Sequence, residues 1–339
     1  MSTHWAEPGC YEVADGIHRI PLQLPQDGLR AVNVYALETE TGLALIDGGW
    51  HRPGTYRELT AGLAQIGRSP DDIHDVLVTH IHRDHYTFAV ELRRRHGCRV
   101  HLGAGESAGL AEIRALGTNV PTSSLRELRR AGATGIAARA YAGSIGEPFD
   151  IADWAAPDKW LQPGTLTLGG YELEVRATPG HTKGHLVFQD HARRLLFTGD
   201  HLLPTITPSI GFELGTWELP LDNFLNSLTL LRDDDEHTML PAHGPDGGNA
   251  GRRARELLEH HDRRFAQIHT AVIELAPCTG LEVARALTWT RRERPFDTLD
   301  TFNQMVATCE TMAHLDVLVT RHVLTVETDS GTDIFALAR

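Results

Sequence analysis

The chain has 339 residues, 41% of them hydrophobic, and a formal net charge of −13 at neutral pH. That length suffices for a sizeable core and more than one folding unit, while the acidity argues against a general phosphate-backbone binder, which needs a basic surface. There is no apolar run of about 18 residues to cross a membrane. The segment Met1–Glu7 also lacks the basic-then-apolar layout of a signal peptide, so a cytoplasmic protein is expected, with Cys10, Cys98, Cys278 and Cys309 as reduced thiols.

In chain order, Gly16–Leu24 alternates like a strand, and Pro21 marks it as an edge. Ala31–Leu37 and Leu43–Ile46 flank a turn at Glu40-Thr41-Gly42, which predicts a hairpin. Thr55–Ile66 has helical spacing of apolar residues, and Gly67 stops it. Asp75–Thr79 is an apolar run that predicts a buried strand. It leads into His80-Ile81-His82-Arg83-Asp84-His85, three histidines and a carboxylate within six residues. Side chains alternate along an extended segment, so His80 and His82 point the same way, and a turn after them brings Asp84 and His85 in from another side. Phe88–His96 then reads as a helix closed by Gly97, and Arg99–Leu102 as a strand.

Residues 103–163 break the alternation of strands and helices. Ser107–Leu116 and Ser124–Ala131 look helical within a Gly-, Ala- and Pro-rich stretch, and the segment is expected to be an insertion capping the site. Three further strands end in marked turns: Val175–Ala177 before Thr178-Pro179-Gly180-His181, Arg194–Thr198 before Gly199-Asp200, and Thr238–Ala242 before His243-Gly244. Side chains delivered by such turns on a rigid scaffold are where function concentrates. After a Gly-rich junction at 247–251, Arg252–Leu275 predicts a long helix. Thr279–Leu287 and Thr301–Leu315 predict two more, and Val317–Val319 with Val323–Glu327 a hairpin around Thr320-Arg321-His322. Two domains follow, 1–250 and 251–339.

Neutral imidazole and carboxylate are ligands that borderline divalent metals prefer, and four of them in the first cluster are enough for parts of two neighbouring sites. His80, His82, Asp84, His85, His181, Asp200 and His243 are therefore the candidate ligands.

These residues carry a resemblance. The chain resembles the metallo-β-lactamase-fold hydrolases, the superfamily that includes glyoxalase II, over about residues 15 to 250. The family's H-x-H-x-D-H signature is matched by His80, His82, Asp84 and His85. Its later ligands are matched by His181 in Thr-Pro-Gly-His, Asp200 in Phe-Thr-Gly-Asp and His243 in Pro-Ala-His-Gly. The resemblance implies an α+β fold, a four-layer αββα sandwich, with a helical insertion and a small winged-helix-like C-terminal domain. It also implies His80, His82 and His181 around one metal, Asp84, His85 and His243 around a second, and Asp200 bridging. Asp47, in Leu45-Ile46-Asp47-Gly48-Gly49, would support the ligands from behind. The chain departs from the family at Tyr86-Thr87-Phe88, where small residues are usual, and at Lys183, which replaces a frequent Pro. His185 and His201 lie close in sequence to these ligands without a fixed place in the pattern.

The expected cofactor is a pair of divalent ions, zinc first, with iron or manganese compatible with the same nitrogen and oxygen ligands. Two such ions sharing a water bring its pKa toward neutrality and supply hydroxide, with Asp84 as the catalytic carboxylate that holds the water's proton. The expected reaction is hydrolysis of a small-molecule thioester, ester or lactone, because such leaving groups need little acid assistance. A phosphodiesterase or ribonuclease, a β-lactamase-like amide hydrolase and a mononuclear-iron persulfide dioxygenase are the alternatives. A nucleic-acid or membrane partner is not expected. The C-terminal segment is assigned to packing or homodimer formation.

Overall fold

The computed structural model describes residues 4–24, 28–211 and 218–338. Two sheets carry the first half of the chain. The first has seven strands in sequence order: β1 (Tyr11–Ala14), β2 (Ile17–Gln23), β3 (Ala31–Thr39), β4 (Gly42–Ile46), β5 (Ile73–Val78), β6 (Arg99–Gly103) and β7 (Lys159–Leu161). The pairs from β1 to β4 are antiparallel, those from β4 to β7 parallel. The second sheet runs β12-β11-β10-β9-β8, from β8 (Gly164–Leu168), β9 (Tyr171–Ala177), β10 (Leu186–Asp190), β11 (Leu195–Gly199) and β12 (Thr238–Pro241). Only its β11–β12 pair is parallel.

Period-two alternation builds the core. Ile17, Tyr35, Leu37, Ile46 and Leu77 of the first sheet meet Leu173, Val175, Phe188, Phe197 and Leu240 of the second. Each such side chain contributes about 1.5–3 kcal/mol when fully buried. The Tyr35 and Phe197 rings cross edge-to-face at 5.4 Å. Helices α1 (Thr55–Ala64) and α2 (Arg83–His96) cover the outer face of the first sheet. On the second sheet's outer face, the Arg176 guanidinium donates to Leu230 O and Ser227 Oγ to Pro179 O, so the end of a helix at Pro220–Leu231 lies there. This is the αββα sandwich expected.

Two local expectations are corrected. β2 is the second strand of its sheet, not an edge; Pro21 is tolerated because β1 pairs only with Ile17–Arg19, so the missing N–H falls beyond β1's reach. And no turn separates His82 from the next helix. α2 begins at Arg83 with His82 at its N-cap, so Asp84 and His85 occupy the helix's first turn.

The chain divides into two compact units by contacts, not by the single cut at residue 250 that the sequence suggests. The first comprises Met1–Ala115, Asp150–Pro208 and Ser227–Arg255; the second Leu116–Phe149, Ser209–Asn226 and Glu256–Arg339. After α3 (Ser107–Leu116), helices α4 (Thr122–Arg130) and α5 (Thr134–Ser144) of the 103–163 segment thus belong with the C-terminal part. Following α6 (Pro220–Leu231) and α7 (Ala250–Leu275), the second unit holds β13 (Cys278–Thr279), α8 (Gly280–Ala286), a small ladder of β14 (Thr288–Trp289) and β15 (Arg294–Pro295), α9 (Thr301–Thr320), β16 (Leu324–Asp329) and β17 (Thr332–Leu337). Thr279 and Glu282 form a capping box on α8. Arg130 of α4 ties the sequence-distant pieces, reaching Asp316 on α9 at 2.9 Å and Asp333 on β17 at 2.8 Å. Val317–Val319 is helical, not a strand: it is the last turn of α9, where Val317 and Leu318 are buried. The hairpin is β16–β17 instead, closed at Ser330-Gly331.

Candidate metal centre

The candidate ligands sit past strand ends, at one end of the sandwich, with Asp84 and His85 in the first turn of α2 beyond β5. His80 and His82 follow β5, His181 lies in the β9–β10 connection, Asp200 follows β11 and His243 follows β12. Backbone hydrogen bonds stitch these loops together: Leu186 N donates to Thr79 O at 2.8 Å, Ala242 N to Gly199 O at 3.1 Å and Asn33 N to Ala242 O at 2.7 Å. Gly199 is required where it stands. Its φ is +49°, and a Cβ there would lie 2.7 Å from both Thr79 Oγ1 and His185 Nε2.

The ligand atoms converge in three overlapping groups, His80–His82–His181, His80–His85–Asp200 and Asp84–His85–His243, each with its atoms within 4.8 Å of one another. His82 Nδ1 and His181 Nε2 are 3.0 Å apart. The two oxygens of Asp200 face different groups: Oδ2 is 3.4 Å from His181 Nε2, and Oδ1 is 3.4 Å from His243 Nε2 and 3.8 Å from His85 Nε2. Asp84 Oδ2 is 3.4 Å from His243 Nε2 and 3.7 Å from His85 Nε2. All seven sequence candidates are therefore brought together.

Asp47 organises the back of the site. It adopts a left-handed backbone, φ 63°, which Asp tolerates better than most residues. Its Oδ1 accepts from Thr79 N at 2.8 Å and Thr79 Oγ1 at 2.9 Å, and its Oδ2 from His85 Nδ1 at 2.9 Å. The Thr79 hydroxyl, its proton spent on Asp47, accepts from His80 Nδ1 at 3.1 Å. His243 Nδ1 donates to Ala31 O at 2.8 Å. Each of these bonds fixes a ring and turns its Nε2 toward the centre.

The residues fit a divalent cation. His80 Nε2, His85 Nε2, His243 Nε2 and Asp200 Oδ1 are buried without any hydrogen-bond partner, a cost that native structures rarely leave uncompensated. Burial, then the neighbouring His85 and His82, holds the His80 pKa well below its ordinary value; burial and His181 hold His82 at about 3. Both rings are thus neutral and able to ligate. Burial also opposes protonation of His85, but Asp47, Asp84 and Asp200 outweigh it and push its pKa up to about 10. Burial works against Asp84's charge, yet His85 and His243 hold its carboxyl well below the usual range. Anionic oxygens massed around imidazole nitrogens favour a positive charge between them, whether proton or metal.

A comparison decides the family. The model of the metallo-beta-lactamase superfamily matches residues 27–243, well over half of the 339-residue chain. The chain belongs to this superfamily. Proteins of this superfamily bind divalent metals, typically zinc, and this chain has His and Asp side chains placed to hold metal. Among its relatives is the hydroxyacylglutathione hydrolase GloC of Haemophilus influenzae, 29% identical over 47% of this chain and 64% of its own length. The chain thus spans a little under two thirds of that relative. The atrochrysone carboxyl ACP thioesterase of Passalora fulva is 30% identical over 33% of this chain and 32% of its own length. Among solved structures, a metallo-beta-lactamase family protein from Thermus thermophilus is 25% identical and superposes with a TM-score of 0.76, covering 96% of this chain and 100% of that one.

Other residues at the centre are less visible in sequence. His185 is fully buried, donates from Nδ1 to Thr178 Oγ1 at 2.9 Å and accepts Asp200 N–H on Nε2 at 3.1 Å, so it positions Asp200. His201 is buried too, its pKa lowered to about 3 by burial. Glu106, fully buried behind His80–His82, has no sequence signal beyond its place after a strand and a Gly-Ala-Gly turn.

Proposed function

We propose that this chain is a dinuclear metal-dependent hydrolase of a thioester, ester or lactone. One observation carries the reading: the two oxygens of Asp200 look into two different ligand groups, at 3.4 Å from His181 on one side and 3.4 Å from His243 on the other. A carboxylate so placed suits a bridge between two ions. His80, His82 and His181 would hold one, and Asp84, His85 and His243 the other. Divalent ions held there, zinc first, would supply a hydroxide equivalent at neutral pH and would polarise the scissile group.

The chain's own residues do the rest. Asp84, whose Oδ2 lies 3.4 Å from His243 Nε2 and 3.7 Å from His85 Nε2, would accept a proton from the attacking water and aim it. Asp47, Thr79 and the Ala31 carbonyl keep the imidazoles from rotating. An activated acyl bond is favoured because a thiolate leaves with a conjugate-acid pKa of about 8.5, so no general acid is needed for it. The names of the GloC and ACP thioesterase relatives point the same way.

The test is metal analysis of the purified protein joined to assays on thioesters, lactones, β-lactams and bis(p-nitrophenyl) phosphate. The expected result is two equivalents of metal with turnover of an acyl substrate, abolished by a chelator and restored by zinc. One equivalent of iron without hydrolysis sinks the reading.

A further inference from the structure

Glu106 is an expensive residue. Its side chain is completely buried, Oε2 has no hydrogen-bond partner, and burial raises its pKa to about 7 against the pull of its hydrogen bonds. An aliphatic side chain would fill the same volume without leaving a polar oxygen unpaired. What the carboxylate gains is specific. Oε1 accepts from Thr182 Oγ1 at 2.5 Å and lies 3.4 Å from Ile81 N, and the Gly184 amide donates to the same carboxylate. Ile81 lies between His80 and His82, and Thr182 directly follows His181. The carboxylate therefore joins the two segments that carry the three-histidine group.

The backbone is shaped to let it in. A Cβ on Gly184 would lie 2.2 Å from Glu106 N, and one on Gly103 would lie 2.2 Å from Gly184 O. Strand β6 and the turn after it press main chain to main chain against the His181–His185 loop, and only glycine permits that approach.

We propose that Glu106 is a positioning residue for the three-histidine metal position, locking the His181 loop to the His80–His82 segment so that their ring nitrogens converge. The inference rests on the reading that these histidines hold a metal. The contacts are one step removed from the ligands, where loss of a supporting partner usually costs about 10–100-fold in metal affinity.

Cobalt(II) titration of the full-length apo protein, followed by visible absorption, tests it. Wild type is expected to take up two equivalents. Thr182→Val, which removes one donor with little change of volume, and Glu106→Ala are expected to weaken one equivalent about tenfold or more and alter its ligand-field bands, leaving the other unchanged. Glu106→Gln keeps an acceptor oxygen and is expected to restore most of the affinity. Wild-type affinity and spectrum for both cobalt ions in Thr182→Val and Glu106→Ala would overturn the role of Glu106 alone; if Glu106→Ala does not fold, Thr182→Val decides. If wild type binds no cobalt, or His181→Ala binds as wild type does, the metal-centre reading falls and this inference with it.

Discussion

At the scale of single residues, the centre is a set of imidazoles with their rotation removed. Asp47 serves two of them at once, His85 directly and His80 through Thr79. Asp47→Asn should leave the chain folded but weaken metal binding about 10–100-fold, read by competition with a chromogenic chelator. Unchanged affinity would mean that the rings are held by packing alone. The seven candidate ligands were legible in the sequence because His80, His82, Asp84 and His85 cluster directly after an apolar strand, and His181, Asp200 and His243 each follow a Gly- or Pro-marked strand end. Glu106 was not, since a glutamate in a turn carries no mark of burial. Its partners lie 25 and 76 residues away along the chain. Nor was the helical setting of Asp84 and His85, because the apolar spacing of α2 becomes visible only beyond Thr87.

At the scale of elements, β5 and β6 are joined outside the centre by Asp75. It accepts from His101 Nε2 at 2.7 Å and from Arg99 at 2.8 Å. Burial disfavours its charge, but those two hydrogen bonds prevail and hold the carboxyl below its ordinary range. A folded-state pKa depressed in this way gives stability that is present above the unfolded carboxylate value, about 3.9, and is lost as pH falls through the folded one. Asp75→Asn should therefore lower the urea midpoint at pH 7 and flatten its fall below about pH 4; an acid limb identical to wild type would contradict this. In the second unit, Arg130→Ala should cost about 1.5–3 kcal/mol, the usual worth of hydrogen bonds to charged groups, measured by urea unfolding. The second unit also shows where pattern reading fails. The Val317–Val319 run has strand-like β-branched composition, yet it completes α9, because tertiary burial outweighs a local preference of a few tenths of a kcal/mol per residue.

At the scale of the whole molecule, sequence periodicity located most strands of the sandwich but missed β1, β7, β8 and β10, and it did not locate the division into units. Helices α4 and α5 sit between β6 and β7 in the chain, yet pack on α9 in the second unit. Such pairings between distant segments leave no local pattern to read. Among the described residues, no helix is long and apolar enough to cross a membrane. Because the ligand atoms are assembled only in the folded chain, metal should stabilise it by mass action. At about 1,000 times the dissociation constant the gain is about 4 kcal/mol, visible as a rise in Tm that a chelator reverses. A Tm indifferent to metal would contradict a site built from these seven residues.

The most direct test of the two-ion centre is anomalous diffraction from crystals grown with zinc, recorded on both sides of the zinc edge. Two peaks are predicted, one among His80, His82 and His181 and one among Asp84, His85 and His243, with an oxygen of Asp200 toward each. A single peak, or density away from Asp200, would contradict it.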